Sequence, residues 1–136
     1  MIVLPDALRA ALLANGAERP ADPVPLLKLF NPLGPATWLA TELDADGDTL
    51  FGLADLGFGC PELGSFSLHE IGAVRLPFGL GIERDRHFEG GFPLSVYAEA
   101  ARQSGSITES PQALEHAAAA LRQRRRDDPE LPPRGG

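Results

Sequence analysis

Two strand-like runs, 36–43 and 49–56, flank Asp44-Ala45-Asp46-Gly47-Asp48, and this pairing restricts the fold more than any other feature of the chain. Asp-Gly between alternating apolar runs is a strong hairpin signal, because glycine takes the positive φ that a tight turn needs. With Asp46 and Gly47 at the centre of the turn, register follows by arithmetic. Leu43 faces Leu50, Glu42 faces Phe51, Ala40 faces Leu53 and Trp38 faces Asp55. Side chains alternate along a strand, so Thr37, Leu39, Thr41, Leu43, Leu50, Gly52, Ala54 and Leu56 share one face. Trp38, Ala40, Glu42, Phe51, Leu53 and Asp55 share the other. Both faces are partly apolar, which predicts a hairpin near the centre of a sheet, covered on both sides.

The flanking sequence supplies the covering elements. Leu4 to Asn15 has leucines at helical spacing and Asn15-Gly16 as a stop. Leu26 to Phe30 reads as a strand. Gly57 to Gly64 holds three glycines (57, 59 and 64) and Pro61, and is expected to be a forced corner rather than a strand. Ser67-Leu68-His69-Glu70 matches a capping box, so a short helix should run from Leu68 to about Val74. A short strand is expected over Ile82 to Arg86. A helix should cover Pro93 to Arg102, ending near Ser104-Gly105. Ser110-Pro111 opens an alanine-rich helix whose apolar stripe, Leu114, Ala118 and Leu121, is thin.

These elements predict an α+β fold: a small, mainly antiparallel sheet with a central hairpin, packed against two or three helices. The expected organisation is one α+β domain over 1–108, a loosely attached C-terminal helix over 109–126, and a disordered tail over 127–136. A chain of 136 residues suits one core. No apolar run is long enough to span a bilayer, and the first residues lack the basic and apolar regions of a signal peptide. The single cysteine, Cys60, fits a reducing compartment, so a cytoplasmic location and no membrane partner are expected.

Charge is unevenly spread. Residues 121–136 hold five arginines against three acids, while the chain as a whole is −7. The body therefore repels phosphates and is a poor direct binder of nucleic acid. An acidic surface serves solubility, or meets a basic partner.

No standard catalytic signature is present, and no cofactor or metal is expected. Asp44, Asp46 and Asp48 resemble the start of a calcium loop, but Gly47 falls at position four instead of six, so a polar hairpin tip is the stronger reading. Glu83, Asp85 and His87 alternate and would share a strand face; a solvated face is again stronger than a metal site. Cys60 with His69 is a conceivable nucleophile pair whose separation the sequence leaves open. Trp38, Glu42 and Asp55, with Glu62 a short turn beyond, form either a recognition surface for a cationic or amide-bearing group or a core tryptophan with polar residues at a sheet edge.

Several motifs occur in order: Lys28-Leu29-Phe30-Asn31-Pro32, Thr37-Trp38-Leu39-Ala40-Thr41-Glu42-Leu43, Phe51 to Gly57, Pro61-Glu62-Leu63-Gly64, Ser67 to Ile71, Ile82-Glu83-Arg84-Asp85 and Pro93 to Tyr97. Together they resemble a bacterial family of small proteins of unknown function carried on plasmids, phages and conjugative elements. The resemblance spans about residues 4–107. It brings no reaction, cofactor or catalytic residues; it implies a mobile-element setting in which accessory proteins act on DNA transfer or host defence. The expected function is a non-enzymatic accessory or inhibitor protein acting by protein–protein contact, in its narrowest form anti-CRISPR or anti-restriction. Its partner would be a host or element protein, such as a defence or DNA-processing complex. Trp38, Glu42, Asp55, Glu62, Glu83 and Asp85 are the candidate binding residues. Two alternatives stand beside this. One is a small enzyme using Asp55, Glu62 and Glu83 or Asp85 as acid/base groups. The other is a nucleic-acid accessory binding through the arginine-rich tail.

Overall fold

The computed structural model describes residues 2–128. The chain runs α1 (Asp6–Glu18), β1 (Leu27–Phe30), β2 (Thr37–Leu43), β3 (Thr49–Asp55), β4 (Glu62–Ser67), α2 (Leu68–Gly72), β5 (Glu83–Arg84), α3 (Leu94–Ser104) and α4 (Pro111–Asp127). The five strands form one sheet in the order β4-β3-β2-β1-β5, and every neighbouring pair is antiparallel. This is the expected α+β architecture, with the β2–β3 hairpin at its centre.

The sheet is covered on both faces. On one, Leu12 of α1 and Ile71 of α2 pack with Leu27, Leu29, Trp38, Ala40, Leu43 and Leu50. On the other, Leu39 and Leu53 meet Leu94, Val96, Tyr97, Ala100 and Ala101 of α3, backed by Leu114 and Ala117 of α4. These side chains supply most of the folding drive, at about 25 cal/mol per Å² of apolar surface removed from water.

The hairpin keeps the expected register only near its turn. Leu43 pairs with Leu50 and Glu42 with Phe51; then β2 bulges at Thr41, and Ala40 pairs with Gly52, Leu39 with Leu53, Trp38 with Ala54 and Thr37 with Asp55. The extra residue reverses the side-chain phase of β2 beyond it. Trp38 and Asp55 therefore lie on opposite faces, which corrects the shared face expected for them. The bulge is held by residues distant in sequence. Asn15 Nδ2 donates to the Thr41 carbonyl at 2.9 Å. A Cβ on Gly52 would stand 1.8 Å from the Leu39 carbonyl oxygen, and one on Gly16 would stand 2.1 Å from that of Leu43.

Asn15-Gly16 thus does not stop α1. The helix continues to Glu18 and ends at Arg19, whose φ is +50°. Both residues are used instead to seat α1 against β2. A second difference is β4, which occupies part of the expected corner. Glu62 pairs with Ala54, Gly64 with Gly52 and Ser67 with Thr49. The backbone of β3 provides the ladder that the glycine-rich sequence does not advertise. The corner itself is shorter, and Gly57 and Gly59 there take φ of +91° and +82°.

The hairpin turn is centred on Ala45-Asp46 instead of Asp46-Gly47: the Asp44 carbonyl accepts from Gly47 N–H at 2.9 Å, and Gly47 follows at φ +73°. Other local signals act as read. Ser67 Oγ accepts from Glu70 N–H at 3.0 Å at the start of α2. Gly105, at φ +80°, ends α3. Ser110 caps α4, accepting from Ala113 N–H. The expectation of a loosely attached C-terminal helix is revised, since Leu114 and Ala117 of α4 are buried against α3. Glu99 of α3, 4% exposed, also receives Arg102 from its own helix and Arg124 from α4. Burial pushes the Glu99 carboxyl up, but hydrogen bonds from both arginines outweigh it and hold the group below its usual range. Asp127 closes α4, and the rest of the expected tail lies outside the described residues from 129 onward.

Candidate functional site

The six acidic and aromatic residues singled out in the sequence do not meet. Trp38 is 8% exposed and belongs to the core beneath α1. Glu42 lies across from Phe51, on the opposite face from Trp38. Asp55 is 3% exposed and is a fastener: Oδ1 accepts from Gly57 N–H and Oδ2 from Ile107 N–H, each at 2.9 Å. It ties the β3–β4 corner to the loop before α4. Glu62 is exposed at the start of β4, one edge of the sheet, and Glu83 is exposed on β5, the other.

Asp85 follows β5 and turns back on itself. Its Oδ1 accepts from His87 N–H at 2.9 Å, so Glu83, Asp85 and His87 do not share one strand face as expected. That hydrogen bond, with help from Lys28, holds the Asp85 carboxyl below its ordinary value despite an opposing effect of burial. Lys28 of β1 reaches both Asp85, at 3.5 Å, and Glu109, at 2.5 Å. Burial opposes the charge of Lys28, but the hydrogen bond to Glu109 and the two carboxylates outweigh it and raise its pKa.

Cys60 and His69 are also separated. The six residues of β4 stand between them, which is roughly 20 Å of extended chain. Cys60 is exposed at the corner. His69 lines a cleft of about 360 Å³ at the other end of the strand with Ile2, Asp48, Leu68 and Ala73. Asp48 braces that end: its carboxylate accepts from Ser67 Oγ and from His69 N–H, each at 2.7 Å, and its carbonyl from Leu68 N–H at 3.0 Å. Asp46 accepts from Thr49 Oγ1 at 2.6 Å and from the amides of Asp48 and Thr49 at 2.8 Å, so it serves the turn. Those bonds, chiefly from Thr49, hold its pKa down. Among the described residues, no group of three or more His, Cys, Asp or Glu side chains is arranged to hold a metal ion.

What the fold does display is aromatic. Phe78 is 91% exposed, with φ +65° and ψ +23°. It sits in a tight turn where Gly79 also has positive φ and Leu80 N–H donates to the Pro77 carbonyl. Two consecutive positive φ values are the mark of a type I′ turn, whose central positions favour Gly, Asn and Asp. A phenylalanine there is strained by roughly 1–3 kcal/mol and is left in water. Val74 and Leu80, 40% and 38% exposed, line a cleft with Arg75 and Gly79, the residue that follows Phe78. The sequence reading does not single out Phe78; the signal available for it is an aromatic between Pro77 and Gly79, two residue types that favour turns. Phe58 is the other displayed ring, 84% exposed between Gly57 and Gly59.

The molecule is thus a three-layer α/β/α sandwich in which Asp46, Asp48, Asp55 and Asp85 serve turns and fastenings and the exposed aromatics sit on loop tips. The chain belongs to the DUF2958 family, described as proteins of unknown function; the family's model matches residues 3–108, all elements before α4. No curated protein and no solved structure matches the chain. No helix among the described residues is long and apolar enough to cross a membrane.

Proposed function

We propose that the chain is a non-enzymatic accessory or inhibitor protein of a mobile genetic element that acts by protein–protein contact, with an anti-CRISPR or anti-restriction role as its narrowest form. The observation that carries this reading is Phe78, exposed by 91% in a left-handed backbone conformation. Strain and an uncovered ring both weigh against the free protein. A partner that covers the ring relieves the second and gives the first a use. Aromatic anchors flanked by aliphatic side chains dominate the energetics of protein interfaces. The acidic body supports a partner with basic surface, and the resemblance to mobile-element proteins supports its nature: a defence or DNA-processing complex.

The acid/base alternative draws less support, because Asp55 is engaged by two backbone amides and Glu62 and Glu83 lie at opposite edges of the sheet. The test is affinity capture from the native host with the wild type and Phe78→Asn side by side. The expected outcome is a defence or DNA-processing protein enriched by the wild type and lost with the variant. Equal recovery with both proteins, or none with the wild type, sinks the reading.

A further inference from the structure

We infer that β4 is the contact edge of a symmetric dimer, in which the strand pairs antiparallel with the same strand of a second copy. Three observations converge on this edge. First, β4 is an end strand of six residues, and among the described residues no backbone group of Glu62–Phe66 bonds outside the sheet. Natural edges are blunted by shortness, lysine, proline or covering elements. β4 has none of these within it; its one charge, Glu62, stands at its first residue. Second, the exposed apolar side chains on this side, Leu63 at 52%, Leu56 at 55% and Phe58 at 84%, lie on the strand or on the corner leading into it. Covering Phe58 alone removes on the order of 200 Å² from water. Third, the two ends of β4 differ. The exposed Phe58 tip precedes the strand, and α2, which opens on half-buried Leu68, follows it.

Symmetry decides the occupant. A two-fold axis perpendicular to the sheet joins two antiparallel edges while keeping each sheet face continuous, and it makes any contact reciprocal. With the axis through Gly64 or Ser65, the Phe58 tip of each copy is carried to the α2 end of the other strand. The same operation sends the two Glu62 side chains to opposite ends of the paired strands, so they do not face each other at the seam. A foreign basic strand would find little opposite charge along β4 to select it. Each copy carries −7 overall, so long-range repulsion opposes association and salt screens it.

The test is sedimentation of the full chain up to about 100 µM, at low and at physiological salt. The expected result is a dimer that strengthens as salt rises, the reverse of what a contact between opposite charges would do. Phe58→Asp and Leu63→Lys change exposed side chains, and each should weaken the dimer by at least about tenfold while the thermal melt of the monomer is kept. If either variant fails to fold, the other decides. Amide exchange gives a readout without substitution: Leu63–Ser67 should become protected as wild-type concentration rises. A wild type that stays monomeric overturns the inference. So does a dimer that both variants leave intact, or one whose β4 amides exchange at the same rate at every concentration.

Discussion

At one edge of the sheet β5 offers two residues, Glu83 and Arg84, and the strand beside it is clamped by Lys28 reaching Asp85 and Glu109. At the other edge β4 offers six residues with one charge at its beginning, and Leu56, Phe58 and Leu63 stand exposed around it. Charge and shortness close the first edge to further pairing; nothing comparable closes the second. A small sheet has two ends to protect, and an end left open beside displayed apolar side chains is a surface with a use. The pattern also explains why the candidate carboxylates carry unequal weight. Asp85 belongs to the closed edge, while Glu62 only marks where the open one begins.

The contrast presupposes a sheet of fixed phase between its edges, and the most damaging substitution strikes there. Gly52→Val would drive a Cβ into the Leu39 carbonyl at the bulge. A loss of about 4 kcal/mol, or failure to fold, is expected in urea denaturation. A tolerated valine would show that the bulge does not set the phase.

Next comes Asp55, which braces the corner leading into the open edge. Asp55→Ala leaves the amides of Gly57 and Ile107 without their acceptor. The expected cost is about 2–3 kcal/mol, with faster amide exchange at both positions. An unchanged exchange rate would mean that the corner is held by something else.

On the closed edge, Lys28→Met should cost about 1 kcal/mol, since its ion pairs are partly solvated. Its signature is in pH. The pKa of Lys28 is raised above its ordinary 10.5, so its contribution is complete below that value and is lost as pH climbs through the raised one. Asp85 is lowered from 3.8, so its contribution is present above that value and is lost as pH falls through the lowered one. Thermal melts across pH should show the alkaline loss in the wild type and not in Lys28→Met.

The smallest effect is a gain. Phe78→Asn relieves a strained turn and should stabilise the free protein by about 1 kcal/mol. A loss of stability instead would mean that the ring supports the fold and is not held out for a partner.

Much of the centre is legible in the sequence. The existence of a turn over residues 44–48 (one residue earlier in its centre than read), the caps at Ser67 and Ser110 and the stop at Gly105 are decided by residues within a few positions of one another. The need for a core on each face follows from the apolar residues on both faces of the hairpin, although the bulge exchanges Trp38, Leu39 and Ala40 between them. The remainder depends on residues farther apart. β4 is glycine-bearing and takes its order from the ladder of β3, so its own composition conceals it. Trp38 and Asp55 were placed together because strict alternation has no means of announcing an inserted residue. Phe78 was visible as an aromatic in a turn, but its left-handed backbone was not.

The sequence by itself determined the turns, the helix ends and the need for a two-faced sheet, because these rest on backbone conformation and on the periodicity of neighbouring side chains. Only the tertiary structure decided the phase of β2. Asn15 reaches the Thr41 carbonyl 26 residues away, Gly16 lets α1 approach the Leu43 carbonyl, and Gly52 makes room for that of Leu39. A buried backbone oxygen must find a donor, and a close approach must find a residue without a Cβ. Both conditions join distant parts of the chain, and they put Trp38 in the core while Asp55 fastens a corner on the far side.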